Sequence, residues 1–168
     1  ILMGAMHRLT TAEMVSAVAE AGGMGFIPAA SFGSAEEVRE EIRRAKALTD
    51  KPIGLNISLV PAVHPGAERI RATVKVGIEE GVAAFETAGA SPAGFIAQIK
   101  EARIPVLHKV TQVKYAKKAE ALGADAVIVI GFEGGGYIGS AEIATMTLVN
   151  SAARSVSIPV IAAGGIVD

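Results

Sequence analysis

Five glycines fall within nine residues at Gly131-Phe132-Glu133-Gly134-Gly135-Gly136-Tyr137-Ile138-Gly139, directly after the apolar run Ala126-Val127-Ile128-Val129-Ile130. A buried strand that ends in such a loop lets backbone amides approach a ligand, and five glycines exceed what a single turn needs. The chemistry indicated is a grip on a phosphate or a cofactor. A second pair, Gly164-Gly165, closes the run Ile158-Pro159-Val160-Ile161-Ala162-Ala163. It reads equally as half of a phosphate cradle or as a tight turn out of a strand. Neither loop has the Walker pattern, because no Gly-Lys-Ser/Thr follows, and neither is a GxGxxG that opens a helix.

Three polar residues stand inside otherwise apolar runs. Lys109 lies near the end of Pro105 to Val110, where a long cation must reach solvent or an anionic partner. Asn56 interrupts Ile53-Gly54-Leu55-Asn56-Ile57-Ser58, and its amide requires partners from neighbouring backbone or from a ligand. Glu86, in Glu86-Thr87-Ala88-Gly89, could act as a base, but pairing with a cation is the safer reading. Strand alternation turns His108 away from Lys109, so it reads as a packed histidine facing the helix layer. His64, in a proline-rich connection, reads as exposed.

The elements that must position these residues alternate regularly. Short β-rich runs are expected at 1–3, 24–27, 53–58, 83–86, 106–110, 126–130 and 160–163. Helices are expected over 11–21, 35–48, 67–80, 92–102, 113–122 and 145–156. Thr10-Thr11-Ala12-Glu13 and Ser34-Ala35-Glu36-Glu37 fit the capping box, and Ser91-Pro92 supplies an N-cap followed by proline at the first helical position. An i,i+4 pair of Glu40 with Arg44 supports a solvated face on the second helix. Near-continuous apolar strands imply burial on both faces, which suits a doubly wound sheet or a (β/α)8 TIM barrel. The barrel is favoured, because polar or glycine punctuation follows strand after strand, as on a barrel's functional face.

Composition removes several classes of function. With 168 residues and 51% hydrophobic content the chain can bury a core as a single domain over 1–168. Sixteen basic and seventeen acidic residues give a net charge of −1, so nothing points to nucleic acid. The absence of cysteine excludes disulfides and thiol catalysis, and the three histidines are too scattered for a zinc site. No apolar run has the roughly 20 residues that span a bilayer, and no signal segment opens the chain. A cytoplasmic location and no membrane partner are therefore expected.

Taken in order, the strand-end motifs resemble the nitronate monooxygenase family, formerly 2-nitropropane dioxygenases, with its relatives the FMN-dependent NADH:quinone reductases and flavin enoyl-acyl-carrier-protein reductases. The carriers begin with Gly4-Ala5-Met6, Ala21-Gly22-Gly23-Met24-Gly25 and Pro52-Ile53-Gly54-Leu55-Asn56. They continue with Glu86-Thr87-Ala88-Gly89, His108-Lys109-Val110, Gly131 to Gly136 and Ala162-Ala163-Gly164-Gly165-Ile166. The resemblance implies FMN across the barrel mouth, with Ala5 and Met6 near the ring system and Asn56 and Lys109 at its polar edge. It implies that Gly135, Gly136, Gly164 and Gly165 hold the phosphate. A cation at the polar edge stabilises the negative charge that the ring acquires on reduction.

Two departures from the family pattern follow. Many members carry histidine directly after the glycine loop, where this chain has Tyr137; with an ordinary pKa near 10, tyrosine serves as a donor rather than a base at neutral pH. The family also continues past Gly-Gly-Ile into a further strand that completes the phosphate site, so the barrel is expected to be truncated before its eighth strand and incomplete at its N-terminus. Weak or absent FMN binding is the corresponding expectation for these 168 residues. The resemblance implies a flavoenzyme that oxidises alkyl nitronates with dioxygen, with Tyr137 and Lys109 as catalytic residues. The alternatives are NAD(P)H-dependent reduction of a quinone or an enoyl-acyl carrier, an inactive barrel fragment that could pair as a homo-oligomer, and a flavin-free phosphate-binding barrel.

Overall fold

The structure, a computed structural model, describes residues 1–60, 66–136 and 138–166. Among the described residues seven strands alternate with six α-helices. The strands are β1 (Leu2–Met3), β2 (Met24–Pro28), β3 (Gly54–Leu59), β4 (Ala84–Gly89), β5 (Val106–Val110), β6 (Ala126–Ile130) and β7 (Val160–Ala163). The helices are α1 (Ala12–Glu20), α2 (Ala35–Leu48), α3 (Ala67–Glu79), α4 (Ile96–Glu101), α5 (Val113–Ala121) and α6 (Thr145–Ala153). All neighbouring strands are parallel and follow one another in chain order, each returning through a helical crossover. The result is a partial barrel, with β1 and β7 at the two edges of the sheet among the described residues.

Strand alternation sorts the apolar residues into two cores. Outward-facing Ile27, Leu55, Phe85, Val106, Val127 and Val129 pack under the helices in the larger one. The smaller core fills the barrel interior with Phe26, Ala84, Leu107, Ala126 and Ile128, against which Leu2, Ala5 and Ile161 pack. Phe26 spreads across the place where β3 has no side chain, since a Cβ on Gly54 would come within 2.3 Å of its ring. The interior is thus plugged at the level of Phe26 and Gly54, and polar residues can be carried only beyond that plug.

The helix starts follow the expected chemistry in one case and not in two. Ser34 caps α2 as a capping box: its Oγ accepts from the Glu37 amide at 3.2 Å, and Glu37 Oε2 accepts from the Gly33 amide at 2.8 Å. The box expected at Thr10 does not form. Thr10 Oγ1 instead accepts from the Met6 amide at 3.0 Å, and the first amide of α1, that of Ala12, donates to Glu41 Oε1 of α2 at 2.5 Å. A carboxylate 29 residues away does the capping. The fourth helix begins at Ile96 rather than Pro92, because Pro92 to Phe95 form a turn, closed by the Phe95 amide donating to the Pro92 carbonyl, before the helix proper.

The expected Glu40–Arg44 pair is not made; Arg44 turns instead to Glu13 of α1 and to Glu41, at 3.3 Å from the latter. Outside the barrel Arg39 bridges α2 to α3, with ion pairs of 2.7 Å to both Glu79 and Glu80. No described helix is long and apolar enough to cross a membrane.

Candidate functional site at the barrel mouth

The inward residues of β3, β4 and β5 bring three of the sequence-derived candidates together. Asn56 and Glu86 are register partners on neighbouring strands, and Lys109 is level with Ala88, two residues further along β4. Lys109 Nζ reaches back to within 2.5 Å of Glu86 Oε1. Glu86 is fully buried, 0% exposed, while the Lys109 side chain is 19% exposed. The contact is an ion pair off the direction of a hydrogen bond, and neither Glu86 oxygen has a hydrogen-bond partner among the described residues. The reading of Glu86 as a partner for a cation is realised, and the cation is Lys109.

The ammonium also points across the mouth. A Cβ placed on Gly4, just after β1, would lie 3.8 Å from Lys109 Nζ. Ala5 packs on the interior core and Met6, 40% exposed, stands at the rim. Asn56 is buried at 7% exposure, and no described hydrogen bond occupies its carboxamide. Its polar atoms are not among the fully buried unpaired ones, so the carboxamide reaches the open mouth, where it is available to a ligand.

His108 faces the other way, as strand alternation requires. Its Nδ1 lies 2.7 Å from Thr87 Oγ1 on the adjacent strand. Burial pushes the imidazole down to about 4, only partly opposed by the contact with Thr87, so at neutral pH it is uncharged. It belongs to the packing between sheet and helices and not to the mouth.

The two glycine turns meet on the opposite side of the mouth. The Gly131 amide donates to the Ala163 carbonyl at 3.2 Å, and a Cβ on Gly164 would lie 2.9 Å from the Gly134 nitrogen. Gly136, Gly164 and Gly165 all have positive φ, at 79°, 90° and 68°. Among the described residues the amides of Gly135, Gly136, Gly164 and Gly165 donate no backbone hydrogen bond within the protein. Around Gly135 and Gly136 a Cβ would meet nothing within 4 Å, so open space borders these donors. Tyr137 lies outside the described residues, as does His64.

Two residues whose roles were not read from the sequence hold this arrangement. Thr145, the first residue of α6, sends its amide to Glu133 Oε2 at 2.9 Å, and its hydroxyl lies 2.8 Å from the Gly164 carbonyl and 3.1 Å from that of Ala163. Glu133 and Thr145 therefore tie the glycine loop after β6 to the turn after β7. The sequence did carry a signal. Position 144, before α6, is alanine, which cannot cap, so the first amide of that helix needed an acceptor from elsewhere.

A family model described as nitronate monooxygenase matches residues 1–168. The chain belongs to the nitronate monooxygenase family. That family comprises flavin-dependent oxidoreductases, and its members here are not all of one activity. The chain is 39% identical over 171 residues to a (3aS,4S,5R,7aS)-5-hydroxy-7a-methyl-1-oxo-octahydro-1H-indene-4-carboxyl-CoA dehydrogenase of Mycobacterium tuberculosis, covering 100% of this chain and 46% of that protein. Against a probable nitronate monooxygenase of Staphylococcus saprophyticus it is 31% identical, covering 100% of this chain and 58% of the relative. The structure of FabK from Thermotoga maritima superposes with a TM-score of 0.89 at 40% identity, covering 99% of this chain and 51% of that one. The chain thus spans about half the length of the relatives it matches.

Proposed function

We propose that this chain is the FMN-binding part of a nicotinamide-dependent oxidoreductase that acts on a carbonyl-activated substrate, an acyl thioester, and not primarily on nitronates. One observation carries the choice: the whole chain is 39–40% similar in identity to the indene-carboxyl-CoA dehydrogenase and to FabK, against 31% to the nitronate monooxygenase. This favours the reductase alternative over nitronate oxidation, which remains the second reading on the strength of the family description.

The residues fit FMN on observations independent of that choice. The amides of Gly135, Gly136, Gly164 and Gly165 donate no described backbone hydrogen bond, and those of Gly135 and Gly136 border open space, an arrangement that suits a phosphate. The carboxamide of Asn56 is free to bond a polar ring edge. The Lys109 ammonium faces the same mouth, while Ala5 and Met6 offer a small apolar rim. When bound, FMN supplies the two-electron exchange between nicotinamide and substrate. The chain's own residues then bind and orient: the glycine amides hold the phosphate, Asn56 fixes the polar edge, and Lys109 places positive charge where negative charge grows. Tyr137 is assigned to the substrate as a hydrogen-bond donor.

The test is anaerobic. Protein mixed with FMN is treated with NADH or NADPH and then offered an enoyl-CoA, a quinone or, in air, a nitronate. Bleaching of the flavin by nicotinamide followed by recovery with the enoyl thioester is the expected result. Oxygen uptake with the nitronate and no bleaching by either nicotinamide overturns the reading in favour of nitronate oxidation.

A further inference from the structure

The Glu86 carboxylate is the most costly group in the interior and has no evident use. It is 0% exposed, accepts no hydrogen bond among the described residues, and sits at an inward strand position beside Asn56, its register partner on β3. A buried ion pair is a poor source of stability, because desolvating the carboxylate offsets most of the attraction, and glutamine would fill the same volume without a charge. What glutamine could not do is oppose the cation with a full negative charge. Among the described residues Lys109 is the one cation within ion-pair distance of Glu86, and Glu86 is the one anion within that distance of Lys109.

The geometry of Lys109 shows what the attraction achieves. A lysine at a strand end ordinarily extends its ammonium to bulk water. Here the side chain is held at 19% exposure, turned back by two residues along the strands towards Glu86 and brought across the mouth to the side of Gly4. Without an opposing charge to hold it, the side chain would be free to swing out to water.

We propose that Glu86 is a positioning residue that holds the Lys109 ammonium aimed into the barrel mouth, so that the site presents a fixed cation before any ligand arrives. The proposal rests on Lys109 facing the flavin site, as under the reading above, but it does not depend on which substrate is reduced. Pre-positioned charge is more effective than charge that must reorganise during reaction, and a fixed ammonium is what an anionic ring edge or an enolate-like substrate oxygen would meet.

The first measurement uses the flavin-free chain. Acetic anhydride labelling at one pH, followed residue by residue by mass spectrometry, reports how accessible each lysine amine is. In the unsubstituted protein Lys109 is expected to label more slowly than Lys51 and Lys75, which are 53% and 70% exposed. In Glu86→Gln it is expected to label several-fold faster, approaching the rate of those exposed lysines, because the released side chain extends to water. A general loosening of the site would also speed hydrogen exchange at the backbone amides of β4 and β5, whereas release of the Lys109 side chain alone leaves them protected, which separates the proposed role from a structural one. Equal labelling of Lys109 in both proteins, with unchanged circular dichroism, overturns the proposal.

If Glu86→Gln folds poorly, the comparison moves to Lys109→Met and the double variant Glu86→Gln/Lys109→Met. Removing the lysine alone leaves a lone buried carboxylate, so the double variant is expected to unfold less readily than the single one; no coupling between the two changes overturns the proposal. With FMN added, Glu86→Asp is expected to retain affinity better than Glu86→Gln. A labelling difference without any nicotinamide-linked turnover would leave Glu86 assigned and reject only the reaction proposed above.

Discussion

Both carboxylate oxygens of Glu133 accept from the backbone amide of Thr145, at 3.2 and 2.9 Å, so a residue of the glycine loop caps the helix that follows it. The same threonine bonds the turn after β7 through its hydroxyl. Loop, helix and turn are therefore tied together through Thr145. The amide bonds that Glu133 accepts, first its own and then that of Thr145, hold its carboxyl below the ordinary range.

Replacing Glu133 by alanine is expected to release the loop. The thermal midpoint should fall, the Thr145 amide should exchange faster with solvent, and FMN affinity should weaken even though the side chain itself is exposed. Because the carboxyl is depressed in the folded state, its contribution is present above the unfolded carboxylate value and is lost as pH falls through the folded one. Thermal melts of the two proteins should therefore differ at pH 7 and converge in acid. A melt difference that is the same at both pH values would remove Glu133 from the clamp.

His108 supplies a pH effect of larger span. Its folded value of about 4 lies below the ordinary histidine value of 6.5, so the unfolded chain binds the proton more readily. Stability from this group is complete above the unfolded value and declines as pH falls from 6.5 towards 4, with an upper bound of roughly 3–4 kcal/mol. Urea denaturation at pH 7 and at pH 4.5 measures the slope. His108→Gln, which can still reach Thr87 but does not titrate in this range, should flatten it.

The barrel was legible because its strands are nearly pure: Val106–Val110, Ala126–Ile130 and Val160–Ala163 start and stop where their apolar runs do. Local capping was legible at Ser34, where both partners lie within four residues. It was not legible at α1, where the acceptor is Glu41, nor at α6, where it is Glu133, because those partners are set by packing and not by spacing. The same holds for the site. Parity alone turns Lys109 inward and His108 outward, but the pairing of Lys109 with Glu86 depends on the register that sets Lys109 opposite Ala88, and register is a property of the assembled sheet.

The glycines of the two turns are predicted to divide by function. Gly164 has φ of 90° and would place a Cβ 2.9 Å from the Gly134 nitrogen, so Gly164→Ala should destabilise the protein by about 1–3 kcal/mol and separate the two turns. Gly135 has open space around it and no left-handed backbone, so Gly135→Ala should change stability by no more than about 0.5 kcal/mol. If its amide approaches a phosphate, the added methyl should still weaken FMN binding. Denaturation curves and FMN titration of the two variants separate the structural glycine from the ligand-facing one; unaltered FMN affinity in Gly135→Ala would take Gly135 out of the cradle.

The floor of the site depends on Phe26 and Gly54. A Cβ on Gly54 would come within 2.3 Å of two carbons of the Phe26 ring, with no room for accommodation in place. Gly54→Ala should therefore overpack the interior and cost about 1–3 kcal/mol, or drive the ring upward towards Asn56. Phe26→Leu in the same background removes the obstructing ring atoms and should recover part of that loss, although alone it leaves a void and destabilises. Denaturant midpoints of the two single variants and the double variant measure this coupling. Recovery in the double variant identifies the ring as the barrier that keeps the polar level above the plug; additive losses would show that Gly54 is required for another reason.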